Sequence, residues 1–282
     1  MAYYEYGARA LMASDLATLR LDAITSQHAV AYASKQSGVW ASTVNCALRT
    51  LSRALNLGVE WGKLTSAARV PLAKGERQRD RVVTDAEWAA YIKACAQPWR
   101  DVALLIHSEG LCPGECYRLQ WEHVLINGDG HGLIMITEGK TKARRRVLPM
   151  TADVYDALHA RWLAQGTPAA GWVFPTRSKS GHLEQDTAKK QHDSALKASG
   201  VKRFEAYCLR HTALTRFAES GCDAFTLMRI AGHSSITMTA RYCHPQAEAI
   251  ERAFHKVQEV VAKVVTPDHL LPSTNDDDSR LP

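Results

Sequence analysis

Apolar residues recur at helical spacing over most of this chain. From Ser42-Thr43-Val44-Asn45 onward, Val44, Ala47, Leu48, Leu51, Leu55 and Val59 line one side of a helix, while Arg49 and Arg53 share another face. Residues 1 to about 70 are predicted to be helical. The rhythm fails between Arg69 and Arg81, where Pro71, Gly75 and a crowd of charges mark a basic linker. A second helical region opens at Thr84-Asp85-Ala86-Glu87, which has a cap residue and acids in its first turn. Val102, Leu104, Leu105 and Ile106 continue into a buried helix that stops at Gly110. Cys112-Pro113-Gly114-Glu115 then turns the chain into the next helix.

The apolar runs Leu133-Ile134-Met135-Ile136 and Val147-Leu148-Pro149 predict strands near 133–137 and 145–149, and Trp172-Val173-Phe174 predicts a third. From about 183 the pattern is helical again. Over residues 251–265 it is amphipathic, with Ala253, Phe254, Val257, Val260, Val261 and Val264 on one stripe. After Pro267 the residues turn polar and acidic, which predicts a disordered tail. The expected fold class is mainly α with a small antiparallel sheet (α+β).

Composition adds little until its distribution is considered. The 282 residues are 46% hydrophobic and 23% charged, with a net charge of +6, enough for two domains and leaning toward an anionic partner. Lys140, Lys142, Arg144, Arg145 and Arg146 crowd one predicted hairpin tip, well placed to meet a phosphate backbone. The seven cysteines follow no framework or paired-knuckle spacing, so neither disulfides nor a metal site is expected. With no signal-like start and no run long enough to span a membrane, a reducing cytoplasm is the expected setting.

The chemistry concentrates late in the chain. Arg210, His233 and Tyr242 stand 23 and 9 residues apart inside one helix-rich segment. A guanidinium grips phosphate oxygens through a planar fork, and a phenol can attack phosphorus to leave a covalent protein–DNA link.

Four motifs in order carry a resemblance to the tyrosine recombinases, the phage integrase family, from about Arg81 to about Lys263. They are Glu109-Gly110-Leu111-Cys112-Pro113-Gly114-Glu115, Gly139-Lys140-Thr141-Lys142 leading to Arg146-Val147-Leu148-Pro149, Tyr207-Cys208-Leu209-Arg210-His211-Thr212, and Ala231-Gly232-His233-Ser234 with Arg241-Tyr242. The resemblance implies a helical core-binding domain over 1–72, N-terminally truncated. A linker over 73–82, a catalytic domain over 83–265 and a tail over 266–282 would follow. It also implies site-specific recombination of double-stranded DNA by a homotetramer that exchanges C-terminal helices, without cofactor or metal, as part of a mobile element. Tyr242 would be the nucleophile, Arg210 the phosphate clamp, His233 a further donor and Lys140 the general acid. Lys142, Arg144, Arg145, Arg49 and Arg53 would contact DNA. His211 is read as structural, and Glu115 as a buried acid orienting its neighbours.

Two positions depart from the family pattern. Its first arginine falls at Cys112, and the histidine or lysine three residues before the second falls at Tyr207. Cysteine cannot supply a permanently charged bidentate clamp, and losing one such donor costs on the order of 3–4 kcal/mol. Tyr207 can donate a hydrogen bond but is a poor base at neutral pH. Weakened cleavage is expected, and on the same ground Cys112→Arg is expected to raise it strongly. The alternatives are a DNA-binding remnant without catalysis and a type IB topoisomerase-like nicking enzyme.

Overall fold

In a computed structural model, the chain divides into two compact units, Met1–Arg79 and Asp80–Pro282. The structure describes residues 2–76, 81–139 and 141–243, together with 251, 254, 255, 257 and 258.

The first unit holds three α-helices, α1 (Ala2–Met12), α2 (Ser26–Lys35) and α3 (Ala41–Glu60). The predicted stripe forms its core, with Val44, Ala47, Leu48, Leu51 and Leu55 buried beside Leu16, Ile24, Ala29 and Tyr32. Val59 departs from the stripe and lies exposed near the end of α3. Helices α1 and α3 approach closely at Gly7, where a Cβ would sit 2.1 Å from Thr50 Oγ1. Arg49 pairs with Glu76 at 2.8 Å and Arg53 with Glu60 at 2.7 Å, both near the surface.

The second unit begins with α4 (Asp85–Ala94), α5 (Trp99–Glu109) and α6 (Pro113–Tyr117). Thr84 caps α4 in a reciprocal box with Glu87. Gly110 ends α5 in the left-handed conformation, with φ 65°. A meander of β1 (Val124–Ile126), β2 (Gly132–Ile136) and β3 (Arg146–Pro149) follows, antiparallel throughout. Then come α7 (Ala152–Ala164), α8 (Gln185–Ser199), α9 (Ala206–Glu219), α10 (Ala224–Ala231) and α11 (Ile236–Ala240). The core gathers Trp99, Leu105, Ile106, Ile134, Leu158, Phe174, Leu183 and Leu209 between the helices and the inner face of the sheet.

The third strand is not where the sequence placed it. It is Val124–Ile126, joined to β2 through Asn127-Gly128-Asp129-Gly130, whose turn residues favour a hairpin. Trp172-Val173-Phe174 lies between Gly171 and Pro175 and makes a single bridge from Trp172 to Gln120. Of the amphipathic segment 251–265, the described residues Glu251, Phe254, His255, Val257 and Gln258 are helical, and Phe254 and Val257 are exposed. The rest of that segment, the tail 266–282 and Lys140 lie outside the described residues.

Candidate active site

Arg210 occupies the middle of α9 and is completely buried. Its guanidinium spans the ends of two other helices. Nη1 donates to the carbonyl of Gly110 just beyond α5, and Nη2 donates at 2.5 Å to the carbonyl of Ala231 at the end of α10. Helix C-termini carry partial negative charge and unfilled carbonyls, so both contacts suit a cation. The Nε–H is buried and has no partner among the described residues. A donor left open in such a site is what an anion oxygen would satisfy.

His233 follows α10 after Gly232, which adopts φ 65°. Its Nε2 faces Nη2 of Arg210 at 3.4 Å, and its Nδ1 lies 2.9 Å from Oγ1 of the buried Thr239. Because a guanidinium only donates, Nε2 is the acceptor and the ring proton sits on Nδ1, donated to Thr239. Burial, reinforced by Arg210, Arg144, Arg146 and Arg241, pushes the imidazole down to about 4. At neutral pH His233 is therefore uncharged.

Tyr242 lies against this histidine, the two rings stacked at 18° with centroids 6.2 Å apart. His211 approaches its other neighbourhood at 5.0 Å, and the guanidinium of Arg241 stands 5.5 Å from its ring centre. The phenol is 6% exposed. Burial raises it above the usual tyrosine range, although Arg241 and Arg210 pull the other way. Tyr207, on the first turn of α9, is partly exposed and adds to the upward push.

Cys112 caps α6, and its backbone N–H donates 2.8 Å to Oε2 of Glu115. Glu115 is buried and also accepts from Arg146, at 3.1 and 2.9 Å. Burial pushes this carboxyl up, but Arg146, the Cys112 amide and Arg210 outweigh it and hold it below the ordinary range. The structure thus places Glu115 as an orienting acid at the centre of a guanidinium cluster.

The basic hairpin splits into inward and outward residues. Lys142 and Arg145 are exposed. Arg144 turns inward from a short 3-10 turn at Lys142–Arg144 and donates to Cys112 Sγ at 2.9 Å and to Glu115 Oε1 at 3.2 Å. Arg146 is wholly covered and also donates to the carbonyl of Ile230 at 2.7 Å.

Arg146 and Thr239 are site residues that the sequence reading missed. A signal existed for the first: β3 alternates, so Arg146 shares its inner face with Leu148 while Val147 points out. Thr239 offered none, being one hydroxyl among several in Ser234-Ser235-Ile236-Thr237-Met238-Thr239.

Arg210, His233, Tyr242, Cys112, Glu115, Arg144 and Arg146 thus form one neighbourhood, strongly cationic, at which a phenol meets neutral imidazole. Such a set stabilises a phosphate and offers it a nucleophile. Residues 81–249 match the phage integrase family, and the chain belongs to that family. Its members are the tyrosine recombinases, which cleave and rejoin DNA. Among similar proteins, transposase B from transposon Tn554 of Staphylococcus aureus (strain N315) is 25% identical over 174 residues, 58% of this chain and 27% of the transposase. Tyrosine recombinase XerD of Brucella abortus (strain 2308) is 26% identical over 186 residues, 63% of this chain and 57% of XerD.

The chain thus spans from about a quarter to under three fifths of the length of these curated relatives. Its fold is similar to that of the Tn1549 transposon integrase in complex with transposon right end DNA, with TM-score 0.71 and 18% identity, covering 91% of this chain and 93% of that one. It is also similar to a lambda integrase dimer bound to a COC′ core site, with TM-score 0.62 and 21% identity, covering 86% and 71%. Among the described residues, no helix is long and apolar enough to cross a membrane.

Proposed function

We propose that this protein is a site-specific DNA recombinase in which Tyr242 attacks a phosphodiester held by Arg210. The observation that carries this reading is the junction of three residues distant in sequence: Arg210 Nη2 lies 3.4 Å from His233, whose ring stacks on Tyr242. The phenol oxygen bonds to phosphorus as the bond to the 5′ oxygen breaks. The phenol proton leaves to solvent, and the 5′ oxygen takes one up from Lys140 as general acid. A 3′-phosphotyrosyl link remains, and the reverse attack by another strand's 5′ hydroxyl completes exchange without ATP.

Charge explains the order of events. As folded, Arg210 is fully covered and Tyr242 nearly so, so engagement of DNA requires the groups that cover them to move. A phosphate entering beside His233 offsets the guanidiniums that depress its imidazole, and the ring then gains a proton and becomes a donor. Position 112 supplies no guanidinium, and taken alone that lowers cleavage by two to three decades, on the order of 3–4 kcal/mol.

The substrate is double-stranded DNA, contacted by Lys142 and Arg145 on the hairpin and by Arg49 and Arg53 on α3. The surface ion pairs of Arg49 and Arg53 are weak enough to exchange for phosphates. The working form is a homotetramer, and the exposed Phe254 and Val257 belong to the segment that docks on a neighbouring copy. The DNA-bound similar structures support the DNA part of this reading, and the family resemblance the assembly.

A DNA substrate nicked beside the cleavage position tests the reading, since the short leaving fragment diffuses away and traps the adduct. A covalent band on denaturing gels, absent from Tyr242→Phe and from Arg210→Ala, is expected. Retained DNA binding without any band favours a catalysis-free DNA-binding protein instead.

A further inference from the structure

We infer that Arg144 is the second phosphate clamp of this site, supplying from the β2–β3 turn the guanidinium that position 112 lacks. The assignment rests on the function proposed above.

Four observations carry it. Arg144 is steered inward although its chain neighbours Lys142 and Arg145 face solvent. Its Nη1 donates both to the thiol of Cys112 and to Glu115, so the guanidinium lies where a side chain longer than cysteine at 112 would extend. Two glycines make room for it. A Cβ at Gly139 would stand 2.3 Å from Arg144 Cβ, and one at Gly232 would stand 3.0 Å from Arg146 Nη1 and 3.2 Å from Arg144 Cα. The second of these glycines directly precedes His233, so Arg144 is built against the same turn that presents the histidine.

Accessibility separates Arg144 from its neighbours in the cluster. Arg146 and Arg210 are completely covered, and both Nη groups of Arg146 are spent on Glu115. The Arg144 side chain is 31% exposed, and its Nε and Nη2 have no hydrogen-bond partner among the described residues. Those two N–H groups lie on one edge of the planar fork, the arrangement that meets two oxygens of one phosphate. Glu115 and the thiol hold the opposite corner, so little side-chain freedom is lost when the anion arrives. Arg144 moves no proton; it only donates to the non-bridging oxygens as negative charge grows on them.

The same residue read as an ordinary backbone contact predicts something different. A contact that only positions DNA weakens binding and lowers its salt dependence, but leaves the cleaved fraction of saturated complex unchanged. The nicked-substrate assay at saturating DNA therefore discriminates. Arg144→Ala is expected to cut the rate of covalent-complex formation by about a hundredfold or more. Arg144→Lys, which keeps the charge but not the fork, is expected to recover only part of it.

The swap Cys112→Arg with Arg144→Ala is expected to restore at least tenfold over Arg144→Ala alone, because the guanidinium returns to the same place from the other element. Gly139→Ala, which pushes Arg144 outward without removing it, is expected to slow the step as well. Wild-type cleavage that persists unchanged in Arg144→Ala at saturating DNA overturns the assignment and leaves the recombinase reading standing. A wild-type protein that binds DNA but forms no covalent band overturns both.

Discussion

Glu115 holds Arg146 through both carboxylate oxygens, at 3.1 and 2.9 Å, with the two side chains 6% and 0% exposed. The pair joins α6 to β3, and through the carbonyl of Ile230 it reaches the end of α10. It therefore fixes the spacing between the elements that carry Cys112, Arg144 and His233. Removing Glu115 leaves the Arg146 charge buried and uncompensated, which costs roughly 3–5 kcal/mol, whereas removing Arg146 leaves Glu115 its Arg144 contact at 3.2 Å and costs less. Glu115→Ala is expected to lower unfolding free energy by that amount in urea titrations, and Arg146→Ala by a smaller one. A loss under 1 kcal/mol in both would mean that the pair does not organise the site.

Cys112→Arg distinguishes an empty position from an occupied one. If the site simply lacked a donor, restoring arginine should raise cleavage a hundred- to thousandfold. Arg144 already lies 2.9 Å from the thiol and shares Glu115, so a second guanidinium competes for the same carboxylate oxygen. We expect the substitution alone to raise the rate of covalent-complex formation less than tenfold. A gain of a hundredfold or more contradicts this.

Stability should fall on acidification through a definite window. Burial first, then neighbouring guanidiniums, pushes His233 down to about 4, and burial with Arg216 does the same to His107. An unfolded histidine titrates near 6.5, so between about 6.5 and 4 the unfolded chain binds more protons than the folded one. The contribution of these residues is fully present above pH 6.5 and is lost as pH falls toward 4. Denaturation midpoints measured from pH 8 to 4 should be flat at first and then decline, with a shallower decline in His107→Phe, which keeps a ring where the imidazole stacks on Trp88 with centroids 3.8 Å apart.

Thr239→Val tests the tautomer of His233. The hydroxyl accepts the Nδ1 proton at 2.9 Å and leaves Nε2 facing Arg210. Valine keeps the shape but not the acceptor, so the ring can turn or shift its proton. Cleavage is expected to drop by roughly ten- to a hundredfold, the usual effect of removing an orienting partner, with little change in DNA affinity. Equal losses in affinity and rate would assign Thr239 to DNA binding instead.

Much of the fold was written in short-range pattern. The stripe Val44-Ala47-Leu48-Leu51-Leu55 became the core of the first unit, and Thr84 and Gly110 mark the start of α4 and the end of α5, as their backbone preferences require. The strand at 124–126 was missed because three apolar residues have too little length to show a period. Trp172-Val173-Phe174 looked stronger only through its bulky side chains.

In the site, Arg210, His233 and Tyr242 could be named from the motifs that carry the family resemblance. The inward turn of Arg144 could not, because it depends on two glycines, one 88 residues away, whose missing Cβ atoms leave space. A run of basic residues reads as one phosphate-facing tip until packing assigns each member a direction.

The most direct measurement is identification of the residue joined to DNA. Trapped complex would be digested with nuclease and trypsin, and the peptide beginning at Tyr242, after cleavage behind Arg241, examined by tandem mass spectrometry. A nucleotide 3′-phosphate mass on the Tyr242 phenol is the predicted result. An adduct on another residue, or DNA cut without any protein-linked nucleotide, would contradict the account.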